Sequence, residues 1–415
     1  MGTFTGATIN KLNGGLGRTS TIDRVIALIC GMTATDAVPA KSVNEIYDIT
    51  TAEDLGITES TDANNGEQVH YHLDEMTRLC PGVTYYLIPV APETTIAELV
   101  ADDTIKAAIR GISGINCIGI AGIASASVDA INADVLALQA WVNTFKTDKI
   151  LIDGVFLEGI PKEANADYFN TGVDIYDLRS LDAENISVVI AQDPTQAALN
   201  AAFAKSAAVG TVLGSVAVRK VHEDLGSVDI ENKPSAKKGY EYFSLADDTL
   251  DKFTDVALSD GTLVKNLTMA QQTALATKGY IFAGMFANYD GVYLSGCPTA
   301  TDASSDYAYF NYNCIWNKAA RWIYKTLIPL VRSKVPKDSD GNITTTWTNN
   351  AEQKVINALT TNLVNTGNAD AVDVYINPEQ TVNESTPMNV KAQVQVGDIV
   401  HEFDVDLGLT SKISA

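Results

Sequence analysis

The sequence is poor in the residues that usually make metal and redox sites. It has four histidines and five cysteines in 415 residues. His70, His72, His222 and His401 fall in no HExxH pattern, and no two of Cys30, Cys80, Cys117, Cys297 and Cys314 form a CxxC pair. Structural and catalytic metal sites need such ligands at such spacings, so no metal centre is expected. An odd, scattered set of thiols also makes no disulfide framework. The thiols are expected to be reduced and mostly buried, in a protein made in a reducing cytosol. Nucleotide and acyl-transfer signatures are missing too: there is no GxxxxGK[ST] loop and no GxSxG elbow. The run Gly14-Gly15-Leu16-Gly17-Arg18-Thr19 is glycine-rich, but no strand leads into it. Cys297 precedes a proline with no histidine nearby, which suits a core thiol better than a nucleophile. No cofactor and no catalytic residue is expected.

Positive charge is scarce as well. Against 51 Asp and Glu stand 29 Lys and Arg, a net charge of −22. So acidic a surface repels phosphate backbones and excludes nucleic acid as the main partner. It also raises the electrostatic cost of self-association unless unlike patches meet. The longest stretch without charge, residues 111–128, holds four glycines, three serines and an asparagine, so it reads as a buried strand at 115–121 running into a turn. Gly210 and Gly214 form a GxxxG, but Lys205 and Arg219 flank a segment too short to cross a bilayer, which leaves close helix packing in a core. The polar, Gly/Thr-rich start lacks a signal-peptide pattern, and no membrane insertion is expected.

What is present is material for a core: 46% of residues are apolar, enough for two or three domains. Glycines at 6, 14, 15 and 17 make residues 1–24 an extended arm. Continuous apolar runs at 25–30 and 83–90 read as buried strands, with further strands at 115–121, 149–157 and 186–191. Between them lie amphipathic helices at 69–80, 96–109 and 131–145, and Thr50/Glu53 and Thr95/Glu98 have capping-box spacing. Strands alternating with helices predict a mixed α/β sheet with parallel pairs at 25–225. The charged, loop-rich stretch 226–260 is the expected domain boundary. Beyond it, 261–397 forms a second domain, with helices at 267–277, 316–335 and 349–366 and alternating strands near 372–376 and 390–396. Residues 398–415 form a terminal strand or arm.

Two features stand out. Residues 316–337 carry Lys318, Arg321, Lys325, Arg332, Lys334 and Lys337 with no acid, so they read either as a solvated helix face or as a positive strip for an acidic partner. At the two ends, Lys11 and Arg18 carry the only charges of residues 1–20. Near the C-terminus Glu402, Asp404 and Asp406 alternate with Phe403, Val405 and Leu407. A strand of that kind either tucks into its own domain or completes a sheet in another subunit.

The order of these segments resembles Mu-like phage tail sheath proteins. The resemblance is carried by the apolar strand at 25–30, the segment Thr51-Ala52-Glu53-Asp54-Leu55-Gly56, the strand ending Pro89-Val90, the Gly-Val-x-Leu-x-Gly run at 291–296 before a basic helix, Asn365-Thr366-Gly367, and the final VKAQVQVGDIV and HEFDVDL. It implies a multidomain sheath subunit, an α/β core with extended terminal arms. Such a subunit is structural: hexameric rings stack around an inner tail tube, between a baseplate and a tail terminator, and arms link neighbouring subunits. The resemblance places the protein in a virion tail, assembled in the host bacterial cytoplasm. It makes Lys318, Arg321, Lys325 and Arg332, or the helix at 349–366, candidates to face the tube. Lys11, Arg18 and residues 402–407 become candidate intersubunit contacts. Two alternatives stay open: a sheath of a tailocin or injection system, and an unrelated α/β ligand-binding protein or enzyme.

Overall fold

The computed structural model describes residues 23–123, 131–159, 175–231, 243–405 and 407–409. The chain divides into two compact units, Met1–Asn317 and Lys318–Ala415.

The first unit is built on a seven-stranded sheet. In chain order its strands are β1 (Ile26–Gly31), β2 (Asn44–Ile46), β3 (Tyr85–Val90), β4 (Cys117–Ala121), β5 (Gly154–Glu158), β7 (Ile186–Val189) and β10 (Tyr280–Ile281). Across the sheet they run β10-β7-β5-β4-β1-β3-β2, parallel except for the edge pair β2–β3. β1 lies between β3 and β4, with Leu28 opposite both Leu87 and Gly119. Every residue of β1 is buried, as a strand covered on both faces requires, which explains its unbroken apolar sequence. Three short antiparallel pairs flank the sheet: β6 (Asp182–Ala183) with β13 (Ala300–Thr301), β8 (Ala191–Gln192) with β9 (Ala257–Leu258), and β11 (Ala283–Gly284) with β12 (Tyr293–Leu294).

The helices of this unit are α1 (Ile49–Asp54), α2 (Glu59–Asn65), α3 (Val69–Leu79), α4 (Ile96–Ala101), α5 (Asp103–Gly111), α6 (Ile131–Thr147), α7 (Pro194–Leu199), α8 (Val209–Val218) and α9 (Met269–Thr277). α8 is buried on every side, and its GxxxG is a soluble packing device, as expected. A Cβ at Gly210 would lie 2.4 Å from the His72 carbonyl oxygen, and one at Gly214 would lie 3.0 Å from the Glu75 carbonyl oxygen, so glycine lets α8 touch the backbone of α3. His72 Nδ1 accepts the Gly210 N–H at 3.3 Å. Burial pushes the His72 imidazole down to about 4, so it stays neutral there.

Several expectations change in detail. The helix expected at 96–109 is two, because the Asp102 carboxylate accepts from Thr104 N–H at 2.8 Å and Ile105 N–H at 3.2 Å and starts a second helix. The capping box at Thr95/Glu98 is present. α1 is capped by Asp48, which accepts from Thr51 N–H at 2.9 Å, rather than by Thr50. The stretch 226–260 does not divide the compact units. β10, which follows it, pairs with β7 inside the first sheet, and the division falls between Asn317 and Lys318.

That division lies within the longest helix, α10 (Phe310–Leu327), which begins six residues before the expected start and ends just before Pro329. Proline removes a backbone donor and stops the helix, so Arg332, Lys334 and Lys337 lie beyond it. In the second unit, α11 (Thr345–Leu359) begins ahead of Asn349. It buries Val355 and Leu359 and packs against β14 (Ala371–Tyr375), which pairs antiparallel with β15 (Lys391–Gln395). Inside α11, Glu352 does not cap; its Oε1 accepts the Ile376 N–H at 2.7 Å.

A buried carboxylate on α2, set against the first N–H groups of α3, gives the fold a testable pH signature. Asp62 is pushed up to about 7 by burial, against the pull of hydrogen bonds from Tyr71, His70 and Val69 N–H groups, with Glu67 adding to the rise. Between about 4 and 7 the folded chain keeps a proton that the unfolded chain has lost, so this group destabilises the fold as pH rises through that window. His72 acts in the opposite sense below about 6.5, because its depressed pKa weakens the fold as pH falls. D62N is therefore expected to raise stability at pH 8, by on the order of 2 kcal/mol, and to make no difference at pH 4. Denaturant melts at the two pH values check this; an equal effect at both would show that Asp62 does not titrate as described.

Candidate functional site

Ligand sites in parallel α/β sheets lie at the carboxyl ends of the strands, where the strand order reverses. Here that place is the end of β1 and β4. It is closed by the chain itself: a Cβ on Gly31 would sit 1.9 Å from the Gly122 carbonyl oxygen. Glu158 fastens the same corner, accepting from Gly122 N–H at 2.7 Å and Ala207 N–H at 2.8 Å. Glu67 is committed to Thr33, through its N–H and its hydroxyl, each at 2.6 Å. The remaining crevice among the described residues is about 50 Å³, far below the roughly 300 Å³ at which small-molecule sites begin. The described carboxylates there staple loops together.

The chain ends differently. The strand expected around residues 402–407 is absent among the described residues. Residues 396–405 and 407–409 lie outside any strand, and Phe403, Val405 and Leu407 are 82%, 73% and 90% exposed. Glu402 and Asp404 are exposed beside them. Asp406 lies outside the described residues, as do Lys11 and Arg18. An alternating apolar row in water is the signature of a strand without its sheet. In the same unit, the β14–β15 pair is a two-stranded ribbon, exposed over most of both strands, with no third strand among the described residues. Isolated ribbons are marginal, and their outer edges present unpaired backbone groups.

The basic strip is split by the structure. Lys318 is buried, and both it and Arg321 are engaged with neighbouring groups, so they are not the free positive face that the sequence suggested. Lys325, Arg332, Lys334 and Lys337 are exposed. Lys325 Nζ stands 4.9 Å from the centre of the Trp322 ring. Interleaved with them are exposed Tyr324, Ile328 and Val331. The surface is thus cationic and apolar together. Pro329 was the signal for it, since it ends the helix and turns this segment out.

The DUF2586 N-terminal domain matches residues 4–298, and the DUF2586 C-terminal domain matches residues 306–414. The chain belongs to the DUF2586 family. No curated protein matches it in sequence. Among solved structures, this DUF2586 chain is similar to a chain of the anti-feeding prophage baseplate, six-fold symmetrised, with a TM-score of 0.61 at 15% identity over 99% of this chain and 100% of that one. It is also similar to the anti-feeding prophage helical sheath in its contracted state (TM-score 0.59, 15% identity, 99% and 100% covered). A third match is the PVC sheath complex of an extracellular contractile injection system, contracted (TM-score 0.56, 13% identity, 99% of both chains). The resemblance read from the sequence holds at the level of the fold. The DUF2586 chain has the fold of contractile-system sheath proteins over its whole length.

Proposed function

We propose that this DUF2586 protein is the structural subunit of a contractile sheath, a mechanical rather than a catalytic component. The observation that carries the proposal is the exposed alternating apolar row of Phe403, Val405 and Leu407, outside any strand, on a chain with a sheath fold from end to end. A strand whose apolar face stays in water in one copy finds its sheet in another. In this reading the tail of one subunit adds to an exposed edge such as that of the β14–β15 ribbon in the next. Lys11 and Arg18 of the N-terminal arm meet Glu402, Asp404 and Asp406 across the joint. Subunits form hexameric rings stacked around an inner tube, between baseplate and terminator proteins, in a phage tail or injection particle assembled in the bacterial cytoplasm. Contraction releases free energy stored in the extended polymer and drives the tube forward. No helix of the described residues is long and apolar enough to cross a membrane, which suits a subunit that acts from outside the bilayer. Negative-stain microscopy of the purified protein is the test: tubes or stacked rings are expected, and a monodisperse monomer at all concentrations and salts would sink the reading.

The surface of Lys325, Arg332 and Lys334 is proposed to face the tube. Exposed charges attract an acidic partner through a field that salt screens within about 8–10 Å near physiological ionic strength. The triple variant K325E/R332E/K334E is expected to fold normally and to lose tube association at least tenfold. Wild-type association should weaken as salt rises. Normal, salt-independent loading of the variant onto tubes would make this face a bystander.

A further inference from the structure

The first unit carries a rigid apolar knob and, elsewhere on its surface, a cleft. The knob is the turn between β11 and β12. Met285, Phe286 and Tyr289 are each about half exposed there, at 54%, 55% and 47%. The turn is held in place from beneath. Phe286 and Tyr289 lean on the buried Tyr293 ring, at 5.8 and 6.2 Å between ring centres. The Tyr293 hydroxyl donates to the Asp290 carbonyl at 2.8 Å, and Val292 N–H donates to the Ser244 hydroxyl at 3.0 Å. Gly291, at φ 108°, makes the bend where a side chain would strike Tyr293. Large apolar groups presented on a pre-ordered turn lose little entropy on binding, which is how interface anchors are built.

The cleft lies between the end of α6 and the start of α10. It measures about 280 Å³, lined by Val142, Lys146, Ile152, Tyr307, Asn313 and Trp316. That is just under the size of a small-molecule site and suits one or two side chains. Its amides are already used: Asn313 Nδ2 donates to the Glu184 carbonyl at 2.6 Å. What it still offers is an aromatic corner, Trp316 edge-on to Tyr307 at 6.4 Å, with Lys146 Nζ 5.3 Å from the Trp316 ring centre and 4.0 Å from the Glu184 carboxylate. Trp316 itself is 43% exposed.

We infer that the 285–290 turn of one copy docks in the Tyr307–Trp316 cleft of a second copy. This rests on the sheath reading, which supplies the second copy. Three features select that occupant. The cleft fits an aromatic side chain, the turn presents two of them, and Asp290 on the turn brings a second acid to Lys146, whose contact with Glu184 at the rim is long, at 4.0 Å, and open to water. A knob and a cleft on different parts of one molecule make a head-to-tail contact, which propagates through a ring or a helix and does not close as a simple dimer. Such a contact adds an anchored joint to the strand exchange of the termini.

The test uses the full chain. A287C and E184C, at the turn and at the cleft rim, are mixed and treated with a short bis-maleimide. The five native thiols are buried, so they stay out of the reaction. Cross-linked dimers are expected from the mixture, and ladders only from the double variant A287C/E184C; the absence of dimers in polymers that do form overturns the contact. F286S/Y289S, with a wild-type circular dichroism spectrum, is expected to raise the critical concentration for polymerisation at least tenfold; an unchanged value also overturns it. If wild-type protein forms no polymer but the two variants still cross-link at high concentration, the contact stands and the sheath reading fails. If neither occurs, both fail.

Discussion

Cutting the chain after Gly397 is expected to leave a folded protein that no longer polymerises. The removed residues contribute little to the fold of a single copy, because Phe403, Val405 and Leu407 are 82–90% or 73% exposed and belong to no strand. Circular dichroism and melting temperature should therefore stay within error of the full chain. Assembly should change by orders of magnitude. Full burial of a Phe, Val or Leu side chain is worth about 1.5–3 kcal/mol, so three of them supply on the order of 5–8 kcal/mol per joint. Each strand hydrogen bond adds a net of about 0.5–1.5 kcal/mol. Ion pairs to Lys11 or Arg18 add at most about 1 kcal/mol each, since both partners meet water and salt. The apolar row is thus the term that decides. F403S/V405S/L407S, with all acids kept, should behave like the truncation, whereas E402Q/D404N should still assemble. Sedimentation and microscopy distinguish these outcomes. Long sheaths from the truncated chain would remove the tail from the joint, and outright unfolding would show that it is an internal strand.

The α/β core was legible because its strands are buried on both faces and so read as unbroken apolar runs; β1 and β3 fell where the sequence put them. The GxxxG of α8 was legible because two glycines one turn apart have one common use outside membranes, close helix contact. Boundaries decided by a single residue were harder. Asp102 cuts one predicted helix in two, and Pro329 ends α10 within a stretch whose apolar and basic spacing still looked helical. The exposed turn at 285–290 left no periodic signal, because its aromatics are defined by what they fail to pack against. Loop-rich composition marks where the chain wanders; after 226–260, β10 returns to the first sheet. The carboxyl-end crevice carries no motif, and its closure by Glu158 depends on a contact 36 residues apart in sequence.

Distant pairing also produces the second large effect. Just ahead of β1, Arg24 is buried and its guanidinium lies 3.5 Å from the Asp153 carboxylate, with each side chain 2% exposed. The guanidinium also sits 4.9 Å from the centre of the Phe310 ring and donates to Cys314 Sγ at 2.8 Å. Burial holds that thiol well above its ordinary pKa, so it is a neutral acceptor and leaves the charge to Asp153. Asp153 is completed by Asn317 Nδ2 at 3.0 Å. Beside them Asn116 clasps the backbone, accepting from Val25 N–H at 2.9 Å and donating to the Asp23 carbonyl at 2.6 Å. The start of β1 is therefore pinned to the root of β5 and to α10. Taking away one member of a buried pair strands the other charge, at a cost of about 3–5 kcal/mol. D153A is expected to lose that much and, in a unit of this size, to melt roughly 5 °C lower. The double variant R24M/D153L, which removes both charges and keeps the volume, should recover most of the loss. Limited proteolysis adds a second readout, since D153A should expose the backbone around residues 23–25 to cutting while the distant α3–α8 contact stays protected. If D153A melts with the wild type, or if the double variant is worse than the single, the pair does not anchor this end of the chain and any load on the N-terminal arm must be borne elsewhere.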